Sequence, residues 1–131
     1  DVSTSDHMTW DVTDTGFKMG LSPAVPDVLA RHARPVVEEL LGRNGLSVPE
    51  VQGWAIHPGG RKIVDVVGEV LDLPEALLAA SYDTLREVGN CSSATVLLVL
   101  DRVDVEPGGT VVAMAFGPGL TLYAALLRRA A

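Results

Sequence analysis

The stretch VQGWAIHPGGRKIVDVVGEVLDL (51–73) changes its hydrophobic period in the middle. That change does most to fix what the chain can fold into. Residues 51–57, VQGWAIH, read as a short buried strand. After Pro58, Gly59 and Gly60, the apolar residues Ile63, Val66, Val67, Val70 and Leu71 recur at helical spacing over 61–73. A strand that turns at once into an amphipathic helix needs a sheet with helices packed against it.

The other segments fit that frame. HMTWDVTDTGFKMGLS (7–22) alternates loosely and reads as one extended strand or a hairpin. Val25, Val28, Leu29, Val36, Val37, Leu40 and Leu41 keep helical spacing, with Asp27 near the start and a turn at Arg43-Asn44-Gly45. Pro35 should kink this helix or open a turn within it. A helix is expected over 73–89, with Pro74 at its start. A strongly apolar helix follows over 90–103, with Asn90 as its N-cap and Ser92 and Ser93 in its first turn. Residues 108–128 read as two apolar strands broken at Gly117-Pro118-Gly119. Residues 1–6 look like a frayed tail or linker. The expectation is one α/β domain over 1–131, a mixed β-sheet flanked by helices and ending in an antiparallel hairpin.

Composition removes several function classes. The net charge of −7 argues against nucleic acid, whose phosphates need a basic footprint. It argues equally against an anionic membrane surface, and no run approaches the ~20 apolar residues of a spanning helix. The polar start is no secretory signal, so a soluble, cytoplasmic protein is expected. Cys91 is the single cysteine, which rules out an internal disulfide and a thiolate-rich metal site. His7, His32 and His57 lack metal-binding spacing, and no metal site is expected. At 47% hydrophobic, the chain can bury a core and still offer an apolar face to a partner domain. Its opening on a polar tract without Met suggests a piece of something longer.

Three stretches could carry chemistry. His57 ends a strand at the carboxyl edge of the sheet, where open α/β sheets place ligands. Gly59 and Gly60 let a ligand approach the backbone there. A histidine so placed can donate to an oxyanion or exchange a proton; it can also be a half-buried residue closing the strand. GNCSSA (89–94) is the second stretch, and a capped buried helix explains it as well as a site does. AFGPGLT (115–121) is the third, and a stiff structural turn explains it. Arg61 and Lys62 could meet an anion but fit a solvated face. His7 and His32 read as surface histidines or histidines with satisfied partners.

Together, IHPGGRKIVD, EVGNCSSATVLLVLDRV and AFGPGLTLYAALLR stand in an order and spacing that resemble the carboxy-terminal part of type III polyketide synthases, the chalcone synthase-like enzymes. The resemblance covers roughly residues 7–128. It implies a thiolase-like fold, of which this chain is about the second half. It also implies a homodimeric acyltransferase that condenses an acyl-CoA starter with malonyl-CoA, with no cofactor beyond the coenzyme A thioesters themselves. His57 matches the family's catalytic histidine and Asn90 its catalytic asparagine; the pair would stabilise the enolate of decarboxylating malonyl-CoA. Ser92, Phe116, Gly117 and Pro118 match cavity-wall positions, and Gly59 and Gly60 lie where the pantetheine arm should pass. Met19 falls near a gatekeeping aromatic of many relatives, and a flexible Met would suit a roomier or more apolar starter channel. Cys91 takes a variable cavity-lining place beside Asn90, and a helix start there would make its thiol more reactive. The family's nucleophilic cysteine belongs to an amino-terminal half outside these residues. Two other readings keep the fold: a ketoacyl synthase-type acyltransferase, which the HPGG and GPGLT stretches disfavour, and a non-catalytic dimerisation or binding module.

Overall fold

The computed structural model describes residues 4–130. Alternation of period two shapes its first element. Strands β1 (Met8–Thr13) and β2 (Gly16–Leu21) pair antiparallel, with Met8 opposite Leu21, Trp10 opposite Met19 and Val12 opposite Phe17. Opposed residues share a face, so these six apolar side chains line one side of the hairpin. The Thr13 hydroxyl closes the turn by donating to the Gly16 carbonyl at 2.8 Å.

The expectation of a loose tail at 1–6 needs correction over its described part. Thr4 is buried, and its hydroxyl donates to the Gly119 carbonyl at 3.2 Å. The Leu120 amide donates to the Thr4 carbonyl at 3.3 Å. Thr4 is docked on a turn 115 residues away. Residues 1–3 lie outside the described residues.

Helix α1 (Val25–Gly42) begins with Pro26 in its first turn, where the missing N–H costs nothing. It buries Leu29, Ala33, Val37 and Leu41. No turn opens at Pro35, and the helix is continuous through it. Pro35 and Arg31 both lie on the exposed side, where water can take the carbonyl that Pro35 leaves free.

The main sheet has three strands in the order β3-β4-β5: β3 (Gly53–Ile56), β4 (Thr110–Gly117) and β5 (Thr121–Arg128). β3 runs parallel to β4, and β4 and β5 form the terminal antiparallel hairpin, so the sheet is mixed as expected. Helices α2 (Arg61–Val70), α3 (Glu75–Glu87) and α4 (Ala94–Arg102) complete the fold. Trp54, Ile56, Val112 and Met114 point to one face and meet α1 and α2 through Val37, Leu41, Val64 and Val67. Each such fully buried aliphatic side chain contributes about 1.5–3 kcal/mol. Ala55 and Val111 point to the other face and meet Val99 of α4. α3 packs along β3, where the Ser81 hydroxyl accepts the Ile56 N–H at 3.2 Å and protects that edge.

Two helical readings shift. On α2 the buried residues are Val64, Val67 and Gly68; of the expected apolar face Val67 and Leu71 are buried, while Ile63, Val66 and Val70 are half-buried. The helix is wedged between two others, and Gly68 admits Leu78 of α3; a Cβ there would collide with the Leu78 Cδ1. The last helix starts at Ala94, not at residue 91, because Ser92 takes a left-handed φ of 62° and breaks the helical path before it. No helix among the described residues is long and apolar enough to cross a membrane.

Candidate active site

His57 is placed by the sheet. Its N–H donates to the Met114 carbonyl at 2.8 Å, continuing the β3–β4 ladder one step past the strand. The ring therefore sits at the carboxyl edge of two parallel strands, beside the Phe116–Gly117 end of β4. The Gly59 amide donates back to the His57 carbonyl at 3.0 Å and turns the chain sharply towards α2. His57 is 9% exposed. Its imidazole has no hydrogen-bond partner among the described residues, which leaves its ring nitrogens to a ligand. Burial pushes its pKa below the ordinary imidazole value, because a charged ring loses more hydration than a neutral one.

Asn90 arrives by a different route. It does not cap the helix: Ser93 occupies the N-cap position and makes no side-chain cap bond. The Asn90 Oδ1 accepts the Ser92 N–H at 2.9 Å and closes a local turn instead. Its Nδ2 donates across to the Gly59 carbonyl at 3.3 Å, two residues beyond His57. Asparagine serves both uses, and the left-handed Ser92 decides for the turn.

Both side chains open on one cavity of about 490 Å³. Met19, Gly59, Ser92, Phe116, Gly117 and Pro118 line it, as the motifs suggest. Gly60 and Cys91 do not. Gly60 is already turning into α2, with open space where a Cβ would lie. The Cys91 side chain is exposed, with its Sγ 3.7 Å from the Val88 carbonyl; the turn at Asn90 and Ser92 sends the residue between them outward. Because α4 begins three residues later, Cys91 is not in a helical first turn either.

Sequence reasoning missed much of the wall. Met8, Trp10 and Leu21 of the hairpin, Val25 and Leu29 of α1, Ile63 of α2 and Val96 of α4 also line the cavity. The shared face of Met8, Trp10, Met19 and Leu21 is visible in the period-two pattern of 7–22. Among the described residues no charged side chain lines the cavity; its polar groups are His57, Asn90, Ser92 and Ser93 with the backbone of the glycines. The site can hold an apolar chain and present N–H donors to one developing negative charge. Arg61 and Lys62 are exposed, and Arg61 lies over the Tyr82 ring, outside this cavity. His32 is exposed and His7 half-buried, and neither lines the cavity.

Comparison with known proteins points the same way. The family model for the C-terminal domain of chalcone and stilbene synthases matches residues 2–131. The 1,3,6,8-tetrahydroxynaphthalene synthase of Streptomyces peucetius subsp. caesius is 36% identical over 129 residues, covering 95% of this chain and 34% of that protein. The α-pyrone synthesis polyketide synthase-like Pks18 of Mycobacterium tuberculosis is 35% identical over 125 residues, covering 92% of this chain and 32% of that protein. Among solved structures, PKS-I of the brown alga Ectocarpus siliculosus aligns with a TM-score of 0.90 at 32% identity, covering 96% of this chain and 36% of that one. The bacterial type III polyketide synthase that makes tetrahydroxynaphthalene in Streptomyces coelicolor A3(2) aligns at 0.87, also at 32% identity, covering 98% of this chain and 38% of that one. The chain spans about a third of the length of the relatives it matches. It belongs to the chalcone and stilbene synthase family, the type III polyketide synthases, and has their thiolase-like fold.

Proposed function

We propose that this chain supplies the decarboxylating and oxyanion-binding part of a type III polyketide synthase, with His57 and Asn90 as its catalytic residues. The observation that carries this is the convergence of a buried imidazole and a turn-held carboxamide on one cavity that no charged side chain lines among the described residues. In this reading malonyl-CoA binds with its thioester oxygen toward both side chains. The bond to the carboxylate breaks, carbon dioxide leaves, and the electron pair moves onto the thioester as an enolate. An imidazole N–H and the Asn90 Nδ2–H stabilise the oxyanion, as fixed donors aimed at a developing charge do. The enolate carbon then attacks a starter acyl group held as a thioester on cysteine, and the cysteine thiolate leaves.

That cysteine belongs to an amino-terminal half of the longer polypeptide; Cys91 faces away from the cavity. The substrates are an acyl-CoA starter and malonyl-CoA, and no further cofactor is called for. The working unit is a homodimer, and the coenzyme A chemistry puts it in the cytoplasm. The apolar side chains at Phe17, Leu97 and Tyr123, 74%, 65% and 67% exposed, support a role for the remaining polypeptide in covering this domain. The charge of −7 supports small-molecule rather than nucleic-acid partners. Met19, 49% exposed in the cavity wall, supports an apolar starter.

Acyl trapping tests the proposal. The intact polypeptide is incubated with a panel of acyl-CoA starters without malonyl-CoA, then digested and mapped by mass spectrometry. The expected label lies on a cysteine outside these 131 residues. A label on Cys91 would make this chain a self-contained acyltransferase, and no label with any starter would favour a non-catalytic module. With malonyl-CoA added, a pyrone or resorcinol supports repeated condensation, whereas a simple β-ketoacyl thioester supports the ketoacyl synthase alternative.

A further inference from the structure

The turn that carries the Asn90 carboxamide is held by a residue that the catalytic reading does not use. Thr95 is the second residue of α4 and is wholly buried. Its hydroxyl reaches back into the turn before the helix. There it accepts the Cys91 N–H at 2.8 Å, donates to the Ser92 carbonyl at 2.8 Å, and lies 3.4 Å from the Asn90 Oδ1. One hydroxyl thus touches all three residues of the turn. The turn itself is costly, because Ser92 holds a left-handed backbone that serine seldom adopts. The bonds to Thr95 and Asn90 are what fix it.

The orientation of the carboxamide matters for chemistry. A backbone N–H can only donate, so the Asn90 atom facing the Ser92 N–H must be the oxygen. That leaves the amide nitrogen to face the Gly59 carbonyl and the cavity. Were the side chain to flip, an oxygen would meet the enolate and repel it. We propose that Thr95 is a positioning residue: its buried hydroxyl locks the 90–92 turn so that Asn90 presents Nδ2–H, and not Oδ1, to the substrate. The inference rests on the reading of Asn90 as an oxyanion donor.

The test uses the intact polypeptide and measures malonyl-CoA decarboxylation and condensation below the melting temperature of each variant. Thr95→Val keeps the shape and removes the hydroxyl. It should lower kcat by about tenfold or more, as small misplacements of a catalytic group do. KM for malonyl-CoA should stay within about twofold, since the Thr95 hydroxyl acts through Asn90 on the reacting state and not on ground-state binding. Thr95→Ser should restore kcat. In an Asn90→Ala background, Thr95→Val should have no further effect, because the two act as one unit. A wild-type kcat in Thr95→Val overturns the proposal, and so does a loss that persists undiminished without Asn90 or in Thr95→Ser. If Thr95→Val does not fold, Thr95→Ala is read in the same way. Failure of both, with Thr95→Ser native, assigns Thr95 to the fold alone and overturns the proposal. An intact wild-type protein that neither decarboxylates nor condenses sinks the catalytic reading first, which separates that failure from this one.

Discussion

His57 and Asn90 reach the same cavity by opposite means. His57 is carried by backbone: its amide is one more rung of the β3–β4 ladder, and its side chain makes no bond that holds the fold among the described residues. Asn90 is carried by side chains: its own oxygen closes the turn it stands in, and Thr95 braces that turn. A sheet edge can lose its functional group and keep its shape. A side-chain turn cannot, so the proposed catalytic role and the local structure are coupled at Asn90 and separable at His57.

The largest expected effect tests that difference directly. In the intact polypeptide, His57→Ala and Asn90→Ala should each lower malonyl-CoA decarboxylation by about 10²–10³, the usual cost of one oxyanion donor. Amide exchange read by mass spectrometry should then divide them. Asn90→Ala leaves the Ser92 N–H without its acceptor, so exchange over 90–93 rises. His57→Ala keeps the bond from its amide to Met114, so exchange over 53–57 stays as in the wild type. Equal local loosening in both variants would break the comparison.

A smaller effect sharpens it at the glycines. A Cβ at Gly59 would sit 3.8 Å from the His57 Nε2, an ordinary contact, so Gly59→Ala should fold normally. Its methyl group would still narrow the lane beside the imidazole. KM for acyl-CoA should rise about tenfold, the usual worth of one extra methyl in a fitted pocket. Gly60 meets nothing within 4 Å, lies outside the cavity wall and has an extended φ of 179°. Gly60→Ala should leave both stability and KM unchanged. Equal rises in KM for the two variants would put the coenzyme A arm over Gly60 as well.

The same contrast explains what the sequence can disclose. The position of His57 is legible because a change of hydrophobic period marks a strand end, and the strand end fixes the residue. The terminal hairpin is legible because Gly117-Pro118-Gly119 admits little but a turn. Asn90 is legible as a cavity residue but not in its local role. Its short carboxamide suits a helix cap and a turn equally, and nothing in the letters discloses a left-handed serine two residues on. Cys91 misleads for the same reason: its place in the motif suggests the cavity, but the turn points it at the Val88 carbonyl. Thr4 docks on Gly119 through contacts that span nearly the whole chain, and such contacts leave no local pattern. The hairpin wall is only half-read from Met19, because Met8, Trp10 and Leu21 share its face and its alternation.

Met19 itself gives the next effect in size. It stands opposite Trp10 on the hairpin and is half-exposed in the wall. Met19→Phe exchanges a flexible chain for a rigid ring. The ratio of kcat/KM between long and short acyl-CoA starters should fall several-fold, less than the about 10- to 200-fold that one pocket group can impose. An unchanged ratio would remove Met19 from the starter channel and leave its neighbours on the hairpin as the candidates.

The smallest effect concerns protons, and it separates the two residues once more, since only His57 titrates. Burial holds its folded pKa below the ordinary value near 6.5. In the window between those two values, the unfolded chain binds a proton that the native protein refuses. More protons on the unfolded side means that stability rises with pH there, and is lost as pH falls from the ordinary value towards the lowered one. His57→Gln removes the group and with it this slope. Between about pH 7 and pH 5, the melting temperature of the wild type should therefore fall more steeply than that of His57→Gln, by a few degrees at most. Asn90→Ala carries the same imidazole and should track the wild type. Parallel curves for the wild type and His57→Gln would mean that the ring does not feel its burial. The imidazole N–H would then meet the oxyanion in competition with water, and more of the stabilisation proposed for that step would fall to Asn90.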